Sequence, residues 1–314
     1  MLRFDKLKIV SSLENIEILD YSKFECKVID GRIVEYKFTL KSPYLLYLEV
    51  DYLEKELVIE FTGKILGDDY PQLINKENIQ ICLNHINKLG FCDLNIEKIL
   101  LDSEVVKADV VTDIRYPNCG ELTSAIKASV SNYNKYLARE IHNNLVIEKN
   151  VTTKSYKQRL TIYDKGNELQ RACNRKFIDG LGDRATLQDY FKGKVRFELN
   201  LNTKEQLRKA LNIPNTALSS VLNSDANPIW SMLDKVLVEA GNITAKYNIG
   251  ELKNFLLLKH CDRDLVKVET LLRQHLSPKT QISKVMKPYR ALAAKLSENT
   301  APSLKQQLRN LLLE

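Results

Sequence analysis

The chain has 314 residues, 44% hydrophobic and 28% charged, with 47 Lys and Arg against 40 Asp and Glu for a net charge of +7. That length suits two domains, or one large domain with an extension, and the composition excludes a disordered, fibrous or low-complexity protein. Residues 201–314 hold 17 basic and 10 acidic side chains, so the whole excess is C-terminal and the first two thirds are neutral.

Taken in chain order, the first forty residues give strand-like runs at 2–10 and 32–40. Residues 44–50 and 55–63 are two β-rich runs around a short polar break, which predicts a hairpin. Ile79, Cys82, Leu83 and Ile86 then recur at helical spacing, with Asn75 as cap and Gly90 as stop. Period two returns over 104–115. The order then repeats: a hairpin from 144–149 and 158–165, helical stretches near 166–176 and 185–192, and a strand over 194–201. One mostly antiparallel sheet with helices on one face, an α+β body built from a repeated hairpin–helix–strand unit, is expected over 1–202.

From 203 to 314 the pattern is helical and basic. Residues 203–223 read as helix, break at Pro214, helix, the outline either of a helix-turn-helix DNA reader or of a helical hairpin packed on the sheet. Amphipathic helices are expected over 251–275 and 281–313. The N-terminus has no continuous apolar run, and no stretch approaches the ~20 apolar residues of a spanning helix, so neither leader nor anchor is expected. Six scattered cysteines read as reduced thiols, which points to the cytoplasm. The four histidines are isolated, which removes nucleases whose metal sits on a His-x-His pair.

Side chains alternate along a strand, so each polar position can be assigned a face. Asp109 and Asp113 share one side of the 104–115 strand, at a backbone separation taken as about 7 Å, and suit a shared hard cation such as Mg²⁺ or Mn²⁺. Glu198, with Arg196, points away from the core of 194–201 and offers a third carboxylate. Tyr163 and Lys165 share the polar side of the strand that ends at 165. A phenol needs a neighbouring cation or metal to become a nucleophile at neutral pH. Attack on a phosphodiester also needs positive charge on the non-bridging and leaving oxygens. A metal on Asp109, Asp113 and Glu198, assisted by Lys165 and Arg196, would supply both. The same charges also suit an ordinary solvated sheet face.

Two stretches, TIYDKGNELQ (161–170) and VRFELNL (195–201), resemble the replication initiation factors of rolling-circle plasmids and filamentous phages, of the non-histidine branch. These include the phage gene II/X replication proteins and the plasmid transfer-type initiators. The matching features are Tyr163, Lys165 and Glu168, then Arg196 and Glu198, with the aspartate strand 107–114 upstream. The likeness covers roughly residues 100–205, extends loosely to the N-terminal strands and does not reach the C-terminal helices. It implies a metal-dependent nickase acting on origin DNA, with a 5′-phosphotyrosine adduct and a free 3′-hydroxyl primer. Tyr163 is the expected nucleophile, with Tyr156, Tyr133 and Tyr136 as alternatives. The expected partners are origin DNA, a second copy of the chain and a host helicase or polymerase, with no membrane. The rival expectation is an initiator or regulator that binds DNA through 203–223 without cutting it.

Overall fold

The computed structural model describes residues 2–130, 136–153, 157–237, 248–261, 264–297 and 303–313. The first half runs β1 (Phe4–Ser12), β2 (Ile16–Ile18), β3 (Glu25–Ile29), β4 (Arg32–Leu40), β5 (Leu46–Asp51) and β6 (Glu56–Thr62). A 3-10 segment over Gly63–Gln72 leads to α1 (Ile79–Asn87), β7 (Cys92–Leu94) and α2 (Ile96–Asp102). The second half runs β8 (Glu104–Arg115), α3 (Cys119–Ser129), β9 (Tyr136–Ile141), β10 (Asn144–Lys149) and β11 (Arg159–Asp164). Then come α4 (Lys165–Leu169), α5 (Arg175–Asp179), α6 (Arg184–Phe191) and β12 (Lys194–Leu201).

Ten of these strands form one antiparallel sheet in the order β3-β4-β5-β6-β1-β8-β12-β11-β10-β9. The order is the same read outward from the centre in either direction. Each half places its first strand at the middle, its last long strand beside that, and the earlier strands outward. The outermost hairpins also match. Asp30–Gly31 joins β3 to β4 and His142–Asn143 joins β9 to β10, with positive φ at both positions of each turn. Two-residue turns of that hand fit the right-handed strand twist. The repeat expected from the order of elements is therefore a repeat of topology, and the α+β architecture is as expected.

The apolar side of the central strands, including Leu7, Ile9, Ala108, Phe197 and Leu199, is completely buried. It lies under α2 and under three helices that follow the sheet: α7 (Lys204–Leu211), α8 (Leu218–Leu222) and α9 (Pro228–Val236). Helices on one face alone were expected, but the polar side is roofed too. The 3-10 segment with α4, α5 and α6 brings Tyr70, Leu73, Leu169, Phe177, Leu187 and Phe191 into a second apolar cluster above Val111.

The chain divides into two compact units, residues 1–238 with 309–314, and residues 239–308. The boundary expected at 202 falls later because α7, α8 and α9 belong to the sheet body. Leu207, Leu211, Leu218, Val221, Leu222 and Leu233 are all buried, and Leu218 N–H donates to the Ser103 carbonyl at 2.8 Å. The 203–223 stretch is thus packed as a helical hairpin; at five residues, α8 is about 7.5 Å long and turns Leu218, Val221 and Leu222 onto the sheet body. The second unit holds α10 (Ile249–His260), α11 (Leu265–His275) and α12 (Ile282–Ser297), and α13 (Leu304–Leu313) leads back to the first.

Candidate functional site

The site is built where β1, β8, β12 and β11 lie side by side. Register places Arg196 opposite Asp113 on β8 and opposite Tyr163 on β11. Glu198 lies opposite Val111 and Thr161, and Asn200 opposite Asp109. A bulge in β1, where Phe4 pairs Val110 but Lys6 pairs Asp109, lets both Asp5 and Lys6 reach this same face. Lys165 is not on the strand. Asp164 caps α4 by accepting from Asn167 N–H, and Lys165 opens that helix beneath the roof.

Arg196 is the centre. Its Nε and Nη2 donate to the two oxygens of Asp113 at 2.7 and 2.8 Å, a bidentate fork. Its Nη1 donates to Asp5 Oδ1 and to the Tyr70 hydroxyl, both at 2.9 Å, while the Tyr70 hydroxyl donates to Asp5 at 2.8 Å. The guanidinium is 0% exposed, with Tyr70 and Phe191 rings at 5.6 and 5.4 Å. Burial pulls its pKa down, but Tyr70 and the Asp113 carboxylate outweigh burial and hold it well above the ordinary arginine value. Burial likewise raises Asp5, and Arg196 and Lys165 outweigh it, leaving that carboxyl below its usual range.

Beside this knot, the Tyr163 hydroxyl donates to Glu198 Oε2 at 2.8 Å. Burial, then the charges of Asp5 and Asp109, push the Glu198 carboxyl up to about 7, against the pull of the Tyr163 hydrogen bond and Arg196. Burial, then Glu198, raise the Tyr163 phenol well above 10. Lys165 Nζ pairs with Glu168 at 2.6 Å and lies 5.2 and 5.9 Å from the Tyr70 and Tyr163 ring centres. Burial and the nearby Arg196 lower its pKa. Glu168 is steadied by Asn174, which in turn accepts from Lys64 Nζ at 2.6 Å.

The cation expected on Asp109, Asp113 and Glu198 finds no ligand set there. Asp109 and Asp113 are four residues apart along an extended strand, ~13 Å rather than 7 Å. Both oxygens of Asp113 are taken by Arg196. Asp109 accepts from Lys6 at 2.8 Å and Asn200 at 2.7 Å. Glu198 accepts from Tyr163. Among the described residues, three carboxylates with oxygens within 4.8 Å of one another occur at Glu35, Glu49 and Asp51 instead. Lys37 pairs with Glu35 and Glu49 of that set, and the Tyr47 hydroxyl donates to Glu49. The donor set at the sheet centre thus suits cations already supplied by the chain, and no step through a metal follows from it.

Tyr163, Lys165, Arg196 and Glu198 are brought together, with Asp113 as the fork partner. Asp109 joins through Asn200, which also reaches Glu198 at 3.4 Å. Tyr136 opens β9, two strands beyond β11, and stands outside the network; Tyr133 and Tyr156 lie outside the described residues. Asp5, Lys6, Lys64, Tyr70 and Asn174 were not foreseen. Among the described residues, no helix is long and apolar enough to cross a membrane. No protein-family model and no curated protein matches this chain.

Proposed function

We propose that the chain acts on DNA as a rolling-circle-type initiator, with Tyr163 as nucleophile and Glu198 as the base that takes its proton. One observation carries this: a phenol donates at 2.8 Å to a carboxyl whose pKa stands near 7, so the carboxyl is half ionised at neutral pH. In the step, the Tyr163 oxygen bonds to phosphorus as its proton passes to the Glu198 carboxylate. The bond from phosphorus to the 3′-oxygen breaks, and the Lys165 ammonium, its pKa lowered, protonates that oxygen. Arg196 contributes its field, since every nitrogen is already engaged. Tyr163 is 7% exposed, so a strand of DNA reaches the phenol only when the roof of 63–72, α5 and α6 moves aside while α4 keeps Lys165 in place.

The test is incubation with supercoiled origin-bearing DNA, in Mg²⁺, in Mn²⁺ and in chelator, followed by mapping of any denaturation-resistant adduct. A nicked circle with Tyr163 on the 5′ end is expected, lost in Tyr163→Phe. Glu198→Gln should lose the rise in rate through pH 7. An adduct that persists in Tyr163→Phe assigns the chemistry elsewhere.

A second reading draws on the burial of Tyr163, which is 7% exposed with its phenol raised well above 10, and on the complete pairing of Arg196 and Asp113. Here the network is a structural knot, and the chain binds origin DNA without cutting it. Intact supercoils under all three conditions, with DNA bound, would support it.

A further inference from the structure

The geometry points to α12 as the surface that docks on duplex DNA, with Lys284, Lys287 and Arg290 set against the phosphates. This deepens the DNA-handling function proposed above and rests on it for the identity of the ligand.

The three helices α10, α11 and α12 close their own core from Phe255, Leu258, Cys261, Val268, Met286, Tyr289 and Leu292. Met286, Tyr289 and Leu292 turn one side of α12 inward, so Ser283, Lys284, Lys287, Pro288, Arg290 and Ala291 form its exposed side. Lys284, Lys287 and Ala291 follow i, i+3, i+7 and make one stripe, flanked by Arg290. From Ile282 to Ser297 the helix contains four basic residues and no acid. Among the described residues, none of Lys284, Lys287 and Arg290 has an ion-pair partner. By contrast, Arg273 on α11 is held by Glu269 at 2.7 Å, and Lys6, Lys37 and Lys165 in the sheet body are all paired.

Folding does not account for the stripe. The first turn of a helix favours acids, and Lys284 sits there against the positive end of the dipole. Unpaired cations at helical spacing match a row of phosphates, where each contact releases counterions. The small Ala291 in the same stripe lets the backbone come close. A membrane surface fits less well. Lipid binding by a helix needs its apolar side free to enter the headgroups, and that side of α12 is spent on the core.

The experiment uses the full chain and a labelled duplex of arbitrary sequence, with affinity measured by anisotropy from low to moderate salt. The triple variant Lys284→Gln, Lys287→Gln, Arg290→Gln should lose about tenfold or more in affinity. Its slope of log affinity against log salt should fall by about 0.9 per lost phosphate contact. A control triple, Lys23→Gln, Lys27→Gln, Lys88→Gln, removes the same charge from other exposed positions and should keep the wild-type slope. Equal affinity and slope in the α12 variant overturn the proposal, as does an equal loss in the control, which reports net charge alone. So does a loss confined to phosphatidylserine vesicles. The adduct assay separates the two proposals: weakened duplex binding without any wild-type adduct keeps α12 as the dock and removes the nicking step. A Tyr163 adduct with α12-independent binding does the reverse.

Discussion

Arg196 and Asp113 face each other across adjacent strands through two parallel hydrogen bonds of 2.7 and 2.8 Å, with the guanidinium sealed from solvent. Two charges removed from water are stable only while each keeps its partner. Arg196→Met leaves Asp113 and Asp5 facing an apolar chain and should destabilise the protein by about 3–5 kcal/mol. The double variant Arg196→Met, Asp113→Leu should cost clearly less than the sum of the two singles. Urea unfolding of the four proteins in a double-mutant cycle measures this; additive losses would mean the pair is not coupled.

Glu198 makes stability depend on pH. A carboxyl raised to about 7 in the fold holds its proton more tightly than in the unfolded chain, where it titrates near the ordinary glutamate value. Between those two values stability falls as pH rises, and above 7 the full cost is present. Glu198→Gln keeps an acceptor for the Tyr163 hydroxyl and removes the charge. It should stabilise the protein by up to ~3 kcal/mol at pH 8, and hardly at all at pH 4.5. Denaturation at the two pH values checks the sign.

Tyr163→Phe should separate chemistry from folding. The loss of one buried hydrogen bond to a group near half ionisation costs about 1–2 kcal/mol, so the variant should fold. Glu198 loses a hydrogen bond that lowers its pKa, so its titration should move further upward. A pH-dependent melting series in Tyr163→Phe reads that movement, independently of any cleavage assay.

Pro288 interrupts α12 from within on its exposed side. An interior proline costs a helix about 3 kcal/mol relative to alanine. Pro288→Ala should therefore stabilise residues 239–308 by about 1–3 kcal/mol and raise helicity, as far as the helix can straighten. Circular dichroism melts measure both.

Alternation made much of the sheet legible. The 44–50 and 55–63 runs form the β5–β6 hairpin, and the side of β12 that carries Arg196 and Glu198 was assigned correctly. What alternation could not supply was the surroundings of that side. Its roof comes from Tyr70, on a 3-10 segment with no helical period, and from Phe177, Leu187 and Phe191, on or next to the helical stretches expected near 166–176 and 185–192, whose pattern does not say which side of the sheet they cover. Asp5 escaped notice because a bulge breaks the alternation of β1 at that point. The strand β3 is exposed along its whole length, so it has no apolar face to declare it. The break between α10 and α11 did carry a signal: Asp264 caps α11 by accepting from Val266 and Lys267 N–H. Asn78, not Asn75, is the residue that precedes α1; Asn75 instead accepts from Glu77 N–H in the turn before it.

The mirrored strand order gives β1 and β8 a meaning beyond packing. A half of this sheet standing alone would leave its first strand as a bare edge. Two such halves pairing edge to edge, antiparallel, would form an isologous homodimer about a two-fold axis. The chain holds both halves in one polypeptide, paired through β1 and β8. Joining them frees the two sides of the axis to differ. Asp5 and Lys6 come from the first half, while Asp109, Asp113, Tyr163, Arg196 and Glu198 come from the second. The charged knot therefore straddles the seam between the halves: Arg196 forks onto Asp113 within the second half and takes its remaining partners, Asp5 and Tyr70, from the first.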